Sequence, residues 1–374
     1  MILLGQIFEI TKGRKPSAIH AEYAPGMVRL LQIEDLRHGE NRKFAPREES
    51  MVHVGPEDIV IAWDGANAGT SNFGLTGAIG STLARLRPRS REMDTAFLGH
   101  FLKANQVLLR QRAKGATVPH LDPDMVRSLQ LTLPEPSEQR RIAAILDHAD
   151  TLRAKRRVAL VQLDEMAPAI FMEMFGDPIV NLKHWPVRKI SEISQVITGN
   201  TPSRTIPEYY GDCIEWIKSD NLNTPHYYAT RANEGLSSIG KAVARIAPAG
   251  SILVTCIAGS PECIGNAAML DRETAFNQQI NALIPNGCNP HFIYAQMCIG
   301  KTLVQEASTG AMKGMVNKSR FEQIRVVVPP IERQDEFGDR ALAVEELRCK
   351  MLAENAAATS LFASLQHRAF RGEL

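Results

Sequence analysis

Two groups of polar segments contain the side chains of this sequence that could bind a charged, hydrogen-bonding ligand. They combine Lys and Arg with Asn, Gln, Ser and Thr, and they lie between short apolar runs. Arg and Lys can donate pairs of hydrogen bonds to guanine, Asn and Gln can pair with adenine, and cations and hydroxyls bind phosphate. The pattern therefore favours DNA binding, and the alternative is that these are ordinary solvated loops.

The candidate DNA-binding residues fall on both sides of the middle of the chain. In the first half they are Lys12, Arg14, Lys15, Ser17, Asn67, Thr70, Ser71, Lys114 and His120. In the second half they are Thr201, Ser203, Arg204, Tyr209, Lys218, Asn221, Gln278, Lys313, Lys318 and Arg320. Positions 12–15 match 200–204 and positions 116–120 match 311–315, so residues in these segments are the stronger candidates.

The sequence predicts no catalytic, cofactor or metal site. The Asn-Pro-His-Phe run at 289–292 resembles the segment with which amino-methyltransferases hold their target base, but its second proline is missing. We interpret Asn289 as a helix N-cap followed by proline in the first turn. Asp58 and Asp64, or Glu215 beside Lys218, could suit a nuclease, but neither pair gives a complete site. The chain also lacks a Gly-x-x-x-x-Gly-Lys-Ser/Thr loop for ATP.

A long helix at 136–174 is the element that could position these loops. The predicted seam alternates steps of three and four, as in a coiled coil, and contains Ile142, Ile145, Ala149, Leu152, Arg156, Ala159, Leu163, Met166 and Ile170. Proline followed by acidic residues is a typical helix start. At 1.5 Å per residue the helix would be roughly 57 Å long. A basic cluster at 153–157 is either a solvated helix face or a contact for phosphates or a partner.

The chain contains this helix twice. Adding 195 to each seam position gives a second seam at 337–365, and both copies begin with proline followed by a glutamine, Gln139 or Gln334. The preceding segments also match, with Gly13 corresponding to Gly199 and Phe97 to Phe292. The order globule, helix, globule, helix is a duplication at the scale of a domain. We predict globular domains at 1–135 and 177–330 and spacer helices at 136–176 and 331–374.

The duplication suggests a bipartite target. Neither helix can bury its apolar stripe alone, so we expect the two to pair antiparallel. DNA presents successive major-groove faces about 34–36 Å apart, a spacing that such helices could match. Because the two globules differ in sequence, the two half-sites should differ as well.

Composition limits the other possibilities. The 374 residues allow two or three domains, and a net charge of +2 means that any binding of an anionic polymer must come from local patches. The six cysteines lie in the second half without Cys-x-x-Cys spacing, which argues against a zinc or disulfide framework. Such cysteines fit a reduced compartment, so we expect a cytoplasmic protein. No apolar run approaches 18 residues, so we expect no membrane span.

The sequence resembles the specificity subunits of type I restriction-modification systems. The segments 199–204 (Gly-Asn-Thr-Pro-Ser-Arg), 209–211 and 216–220 resemble the opening of their target recognition domains. Later landmarks are Asn-Gln-Gln-Ile at 277–280, the loop at 310–316 and the proline and Glu-x-Gln helix start. The first globule departs from this pattern, with Gly-Arg-Lys-Pro-Ser at 13–17.

The resemblance implies an α+β fold in which two similar target recognition domains are separated by two long antiparallel α-helices that form a coiled coil. It implies a non-catalytic subunit that binds double-stranded DNA, two modification (methyltransferase) subunits and restriction (motor-nuclease) subunits. Adenosylmethionine, ATP and magnesium are then expected on those partners and not on this chain. The alternatives are a stand-alone DNA methyltransferase or nuclease with a duplicated domain, and a coiled-coil scaffold that binds only proteins.

Overall fold

The computed structural model describes residues 1–37, 42–115, 119–224, 226–308 and 314–374. The chain divides into two compact units. Unit 1 comprises Met1–Arg157 and Ala353–Leu374, and unit 2 comprises Val158–Leu352. Each unit therefore contains one globule, the first part of one long helix and the last part of the other.

The globule of unit 1 is a mixture of short strands and helices. Its strands are β1 (Ile2–Leu3), β2 (Phe8–Lys12), β3 (Met27–Leu31), β4 (Lys43–Pro46), β5 (Val52–Val54), β6 (Ile59–Ala62), β7 (Ser71–Phe73), β8 (Gly77–Ile79), β9 (Leu83–Pro88) and β10 (Gln130–Leu131). Its helices are α1 (Leu4–Ile7), α2 (Ile33–Arg37), α3 (Thr95–Ala104), α4 (Gln106–Gln111) and α5 (Pro123–Ser128), followed by the long helix α6 (Pro136–Phe175).

Among the described residues of unit 1, the strands form two four-stranded sheets and one strand pair. The sheet orders are β2-β9-β6-β7 and β4-β3-β8-β5, and β1 pairs with β10. Strand β6 is entirely apolar because both of its faces are covered: Ile59 and Ile61 point into one core cluster, and Val60 and Ala62 point into another. Because successive side chains of a strand point to opposite faces, β6 contributes to both core clusters.

The globule of unit 2 has the same plan. Its strands are β11 (Val187–Lys189), β12 (Ser194–Thr198), β13 (Tyr210–Ile217), β14 (Gly235–Leu236), β15 (Ile246–Ala247), β16 (Ile252–Thr255), β17 (Ala267–Met269), β18 (Thr274–Phe276), β19 (Ile280–Pro285) and β20 (Arg325–Val327). Its helices are α7 (Ile190–Ile193), α8 (Ser238–Val243), α9 (Pro290–Ile299), α10 (Lys301–Glu306) and α11 (Lys318–Gln323), followed by the long helix α12 (Ile331–Ala369).

The sheet topology of unit 2 repeats that of unit 1. In its described residues the sheet orders are β12-β19-β16-β17 and β14-β13-β18-β15, with β11 paired to β20. The matched glycines explain one sequence identity between the copies. A Cβ on Gly13 would lie 2.3 Å from the Gly80 carbonyl oxygen, and one on Gly199 would lie 2.2 Å from that of Asn277. Only glycine lets the strand end pass this close to the neighbouring backbone.

The long helices run antiparallel within each unit. In unit 1, Arg141 near the start of α6 donates to the carbonyl oxygen of Leu374 at 2.9 Å. In unit 2, the rings of Phe171 near the end of α6 and Phe337 near the start of α12 lie 5.5 Å apart. Helix α6 continues through Pro168 and ends before Gly176, whose φ is +75°. No helix in the described part of the chain is long and apolar enough to cross a membrane.

The helix seam differs from the predicted one by one residue at every second position. The predicted seam residues Leu152 and Leu361 are 45% and 60% exposed, whereas Leu146 and Phe362 are buried. The observed seam of α6 is 142, 146, 149, 153, 156, 160, 163, 167, 170 and 174, and adding 195 gives that of α12. The prediction failed because Arg153 occupies a seam position, where its guanidinium stacks 4.4 Å from the Phe362 ring centroid.

A buried glutamine fixes the start of each long helix to its globule. Gln139 accepts a hydrogen bond from the backbone N–H of Asp94 at 2.9 Å and donates one, also at 2.9 Å, to the carbonyl of the proline five residues earlier. Gln334 does the same with Asn289, at 3.0 Å, and with its own preceding proline, at 2.7 Å. Asp94 and Asn289 are the N-caps of α3 and α9. The helix-cap interpretation of Asn289 is therefore confirmed.

Candidate nucleic-acid interface

Three loops with candidate residues meet at one end of the β2-β9-β6-β7 sheet in unit 1. Strand β2 ends at Lys12, opposite Ala84 at the start of β9. The loop after β6 lies beside the start of β9, since the backbone N–H of Asp64 donates to the Thr82 carbonyl at 3.2 Å. His120 forms a backbone bridge with the same aspartate. The structure thus brings together segments 12–17, 64–71 and 114–120 as far as these are described.

Two lysines in these unit 1 loops are already paired with carboxylates. Lys12 Nζ lies 2.7 Å from Asp64 Oδ2, and Lys114 Nζ lies 2.6 Å from Asp122 Oδ2. The hydrogen bond from Lys114 lowers the pKa of the Asp122 carboxyl. The two lysine side chains are 49% and 68% exposed and their carboxylate partners 25% and 24%, so these ion pairs add little to stability.

The remaining unit 1 candidates differ in exposure. Arg14, Lys15 and Ser17 are exposed, and the Ser17 backbone N–H bonds to Glu48 Oε1 at 3.0 Å. His120 is exposed and Asn67 is half-buried.

Two unit 1 candidates point inward. Thr70 and Ser71 are only 5% and 3% exposed. The Thr70 hydroxyl accepts hydrogen bonds from Gln106 at 3.1 Å and Arg110 at 3.2 Å, which fixes α4 against the loop. These two residues are therefore removed from the candidate interface. Their hydroxyls were read from the sequence as surface donors, but the turn buries them.

The equivalent end of the β12-β19-β16-β17 sheet gathers the unit 2 loops. Asn200 donates its backbone N–H to the carbonyl of Phe276 at 3.1 Å, and its own carbonyl accepts from the Trp216 indole at 3.2 Å. Gly314 accepts from the backbone N–H of Ala258 at 3.0 Å, next to the bridge between Ile257 and Met315. Segments around 200, 218, 278 and 315 therefore share one surface.

Arg204 is the most highly connected of the unit 2 candidates. Its guanidinium lies 4.3 Å from the centroid of the Tyr210 ring and 5.3 Å from that of Trp216. It also forms an ion pair with Glu234 at 2.8 Å, and Lys218 binds the same carboxylate at 2.6 Å. Hydrogen bonds from Arg204 and then Lys218 lower the pKa of Glu234 to about 2. The two cations are thus held on an aromatic platform by one shared anion.

The other unit 2 candidates surround this cluster or lie on neighbouring loops. Thr201 hydrogen-bonds to Gln278, and both are exposed. Asn221 is fully engaged in its loop, accepting from the Lys218 backbone at 3.0 Å and donating to Thr230 and Arg231. The remaining candidates are exposed Ser203, Lys318 and Arg320 and half-buried Tyr209, while Lys313 lies outside the described residues.

Sequence reasoning missed Glu234. It lies 30 residues after Arg204, on no recognisable motif, and only the folded chain brings it to the two cations. The shared carboxylate neutralises both cations in the unbound chain. The sequence offered only the matched segments 209–211 and 216–220, which contain Tyr210 and Trp216 but give no sign of the anion.

The carboxylates that could have suggested a nuclease are held in ion pairs. Glu215 bonds Arg272 through both oxygens at 3.0 and 2.7 Å. Burial opposes its ionisation, but the hydrogen bonds from Arg272 and Arg231 lower the pKa of Glu215 to about 2. Asp58 is fully buried and is bonded by Arg87 at 2.6 Å through each oxygen. Each of these carboxylates is therefore occupied by arginine and stabilises its own globule.

A family model described as "Type I restriction modification DNA specificity domain" matches residues 1–160 and again 183–344. The chain belongs to this family of DNA specificity domains, and the resemblance noted in the sequence is confirmed.

Curated relatives are also specificity subunits. The chain is 26% identical over 234 residues to the type I restriction enzyme MjaVIII specificity subunit of Methanocaldococcus jannaschii, covering 59% of this chain and 55% of that protein. It is 30% identical over 198 residues to the HindI specificity subunit of Haemophilus influenzae, covering 51% of this chain and 42% of that protein. The matched region thus spans about half the length of these relatives.

Solved structures share the fold over nearly the whole chain. The S subunit of a type I restriction-modification system from M. genitalium matches with a TM-score of 0.63 at 15% identity, covering 98% of this chain and 95% of that one. A chain from a type I system described for its complex assembly and conformational transition matches with a TM-score of 0.60 at 16% identity, covering 100% and 97%. The predicted α+β class, with two similar domains and two long antiparallel helices, is confirmed.

Proposed function

We propose that this chain is the DNA-recognition subunit of a type I restriction-modification complex, and that it has no catalytic site of its own. The observation that supports this most directly is the repeated convergence of polar loops at the same sheet end in both units. Because the two surfaces present different side chains, the target is asymmetric, with two half-sites separated by unread base pairs. The recognition domains are residues 1–135 and 177–330, and the spacer helices are 136–176 and 331–374.

The interface that we propose excludes the two buried hydroxyls of unit 1. In unit 1 it consists of exposed or half-exposed Lys12, Arg14, Lys15, Ser17, Asn67, Lys114 and His120. In unit 2 it consists of Thr201, Ser203, Arg204, Tyr209, Lys218, Asn221, Gln278, Lys313, Lys318 and Arg320. Cations that are paired with partly exposed carboxylates exchange those partners for phosphate when DNA binds.

The long helices are the proposed docking surface for two modification subunits, which supply adenosylmethionine. Restriction subunits that use ATP and magnesium would join this complex in the cytoplasm. Exposed leucines support this. Leu152 and Leu361 in unit 1 and Leu347 in unit 2 lie outside the seam and are more than one third exposed. A bound partner subunit would remove the exposed part of these side chains from water, which favours association. Co-purification of a modification subunit with a variant that lacks both long helices would refute this assignment.

The function is tested by mapping methylated adenines in the host genome with and without this gene. We expect loss of methylation at one bipartite, asymmetric motif. The purified chain should then bind a duplex with that motif, and changing the spacer by a few base pairs should weaken binding. Adenosylmethionine binding by the purified chain alone would favour the stand-alone methyltransferase instead, and absence of protection on any duplex would favour the protein scaffold.

A further inference from the structure

Unit 2 contains a cavity of about 270 Å³ between α6, α9 and α12. Its walls are mainly apolar, and aromatic rings form one side of it. The ring centroids of Tyr227 and Tyr294 lie 4.4 Å apart, and the Tyr227 hydroxyl lies 2.6 Å from His291 Nδ1. Ala167 and Pro168 of α6 also line the cavity.

The same position is filled in unit 1. The offset of 195 that relates the long helices places Phe362 of α12 where α6 has Ala167. Phe362 is buried, with its ring 6.4 Å from His100 and beneath the Arg153 guanidinium. One copy of the fold therefore packs a phenyl ring of its own at this seam position, whereas the other has a methyl group and a cavity.

The lining of the cavity also includes polar groups. Glu345 is 8% exposed and lines it beside Arg348, which forms an ion pair with Asp164 at 2.5 Å. Pro168 has no N–H to donate to the carbonyl of Asp164, one turn earlier in α6. Burial raises the pKa of both Tyr227 and Tyr294, so their hydroxyls remain neutral. An occupant would thus meet both aromatic rings and oxygen acceptors.

We propose that this cavity binds a small planar aromatic molecule of one or two rings, with an N–H or O–H that donates to the Glu345 carboxylate. Size supports this class, because an apolar cavity of about 150 Å³ in another protein holds benzene. The larger cavity in unit 2 has room for an indole-sized molecule. An aromatic occupant would complete the seam of unit 2 as Phe362 completes that of unit 1.

Indole and toluene are suitable probes of the full chain, with saturable binding followed by ligand-observed NMR and by thermal shift. We expect both to bind, and Ala167→Phe to reduce their affinity about tenfold or more by filling the cavity. Ala169→Phe is the matched control, because it adds the same ring at an exposed position of the same helix. It should leave binding within about twofold, a difference typical of surface changes.

Glu345→Gln tests the polar lining of the cavity. It should weaken the binding of indole, which carries an N–H donor, more than the binding of toluene, which has none. Ala295→Leu fills the cavity from α9 and replaces Ala167→Phe if circular dichroism shows that the latter is unfolded. The proposal is overturned if the wild-type chain binds neither probe saturably. It is equally overturned if a folded cavity-filling variant binds both as tightly as the wild type.

Discussion

Replacing Gln334 with Met tests whether the buried glutamine holds the long helix to its globule. Methionine has a similar volume but cannot form the two hydrogen bonds to the Asn289 N–H and the Pro329 carbonyl. Gln334 is 1% exposed, so water cannot easily replace them. A buried group left unpaired costs about 1–3 kcal/mol, which gives a loss of about 2–6 kcal/mol in the free energy of unfolding.

Tryptophan fluorescence can assign this loss to unit 2. Unit 1 contains Trp63, and unit 2 contains Trp185 and Trp216. In a Trp63→Phe background, urea unfolding followed by fluorescence therefore reports on unit 2 alone. We expect the midpoint of that transition to fall in Gln334→Met with little change in its slope.

Gln139→Met is the matched variant, because Gln139 forms the same two kinds of hydrogen bond as Gln334, at nearly the same lengths. It should destabilise unit 1, as reported by Trp63 fluorescence in a chain that lacks the two unit 2 tryptophans. A loss below about 0.5 kcal/mol for Gln334→Met, the size of a surface substitution, would refute the reasoning. So would a loss of equal size in both units from either single substitution.

The other predictions concern DNA affinity, packing and pH. Arg204→Ala should weaken binding of the cognate duplex by about 1–3 kcal/mol if the guanidinium reads a base; fluorescence anisotropy that shows unchanged affinity at moderate salt would contradict this. Phe362→Ala should destabilise unit 1 by about 3–5 kcal/mol, whereas exposed Leu361→Ala should stay within about 0.5 kcal/mol, both measured by urea unfolding; similar losses would argue against the corrected seam. Glu215 has a folded pKa of about 2, below its ordinary 4.5, so its ion pairs stabilise the fold fully above about pH 5 and lose this effect as pH falls toward 2. The stability difference between wild type and Glu215→Gln should therefore shrink over that range in urea titrations, and a constant difference would disprove the linkage.

The sequence predicted features that depend on local chemistry or on the repeat itself. The N-cap at Asn289 and the equivalence of Gly13 with Gly199 each follow from what one residue does to its own backbone. The order of globules and helices followed from the offset of 195 between the copies.

Features that depend on distant residues were missed. An arginine is a poor candidate for a helix seam until its partner is known, and Phe362 lies 209 positions after Arg153 in the numbering of the sequence. The burial of Thr70 depends on α4, and the role of Glu234 depends on Arg204 and Lys218. Sequence patterns report which side chains could interact, but the pairing itself is set by tertiary structure.

The division of the chain has a consequence for its synthesis on the ribosome. Unit 2 is continuous, but unit 1 needs residues from both ends, including Phe362 and Ala369 in its core. At about 5–20 residues per second, the first globule would wait roughly 10–40 s for the segment that closes its core. The N-terminal segment of unit 1 must therefore remain unaggregated while part of its apolar core is uncovered. Unit 2 is translated later but is the first unit that can finish folding.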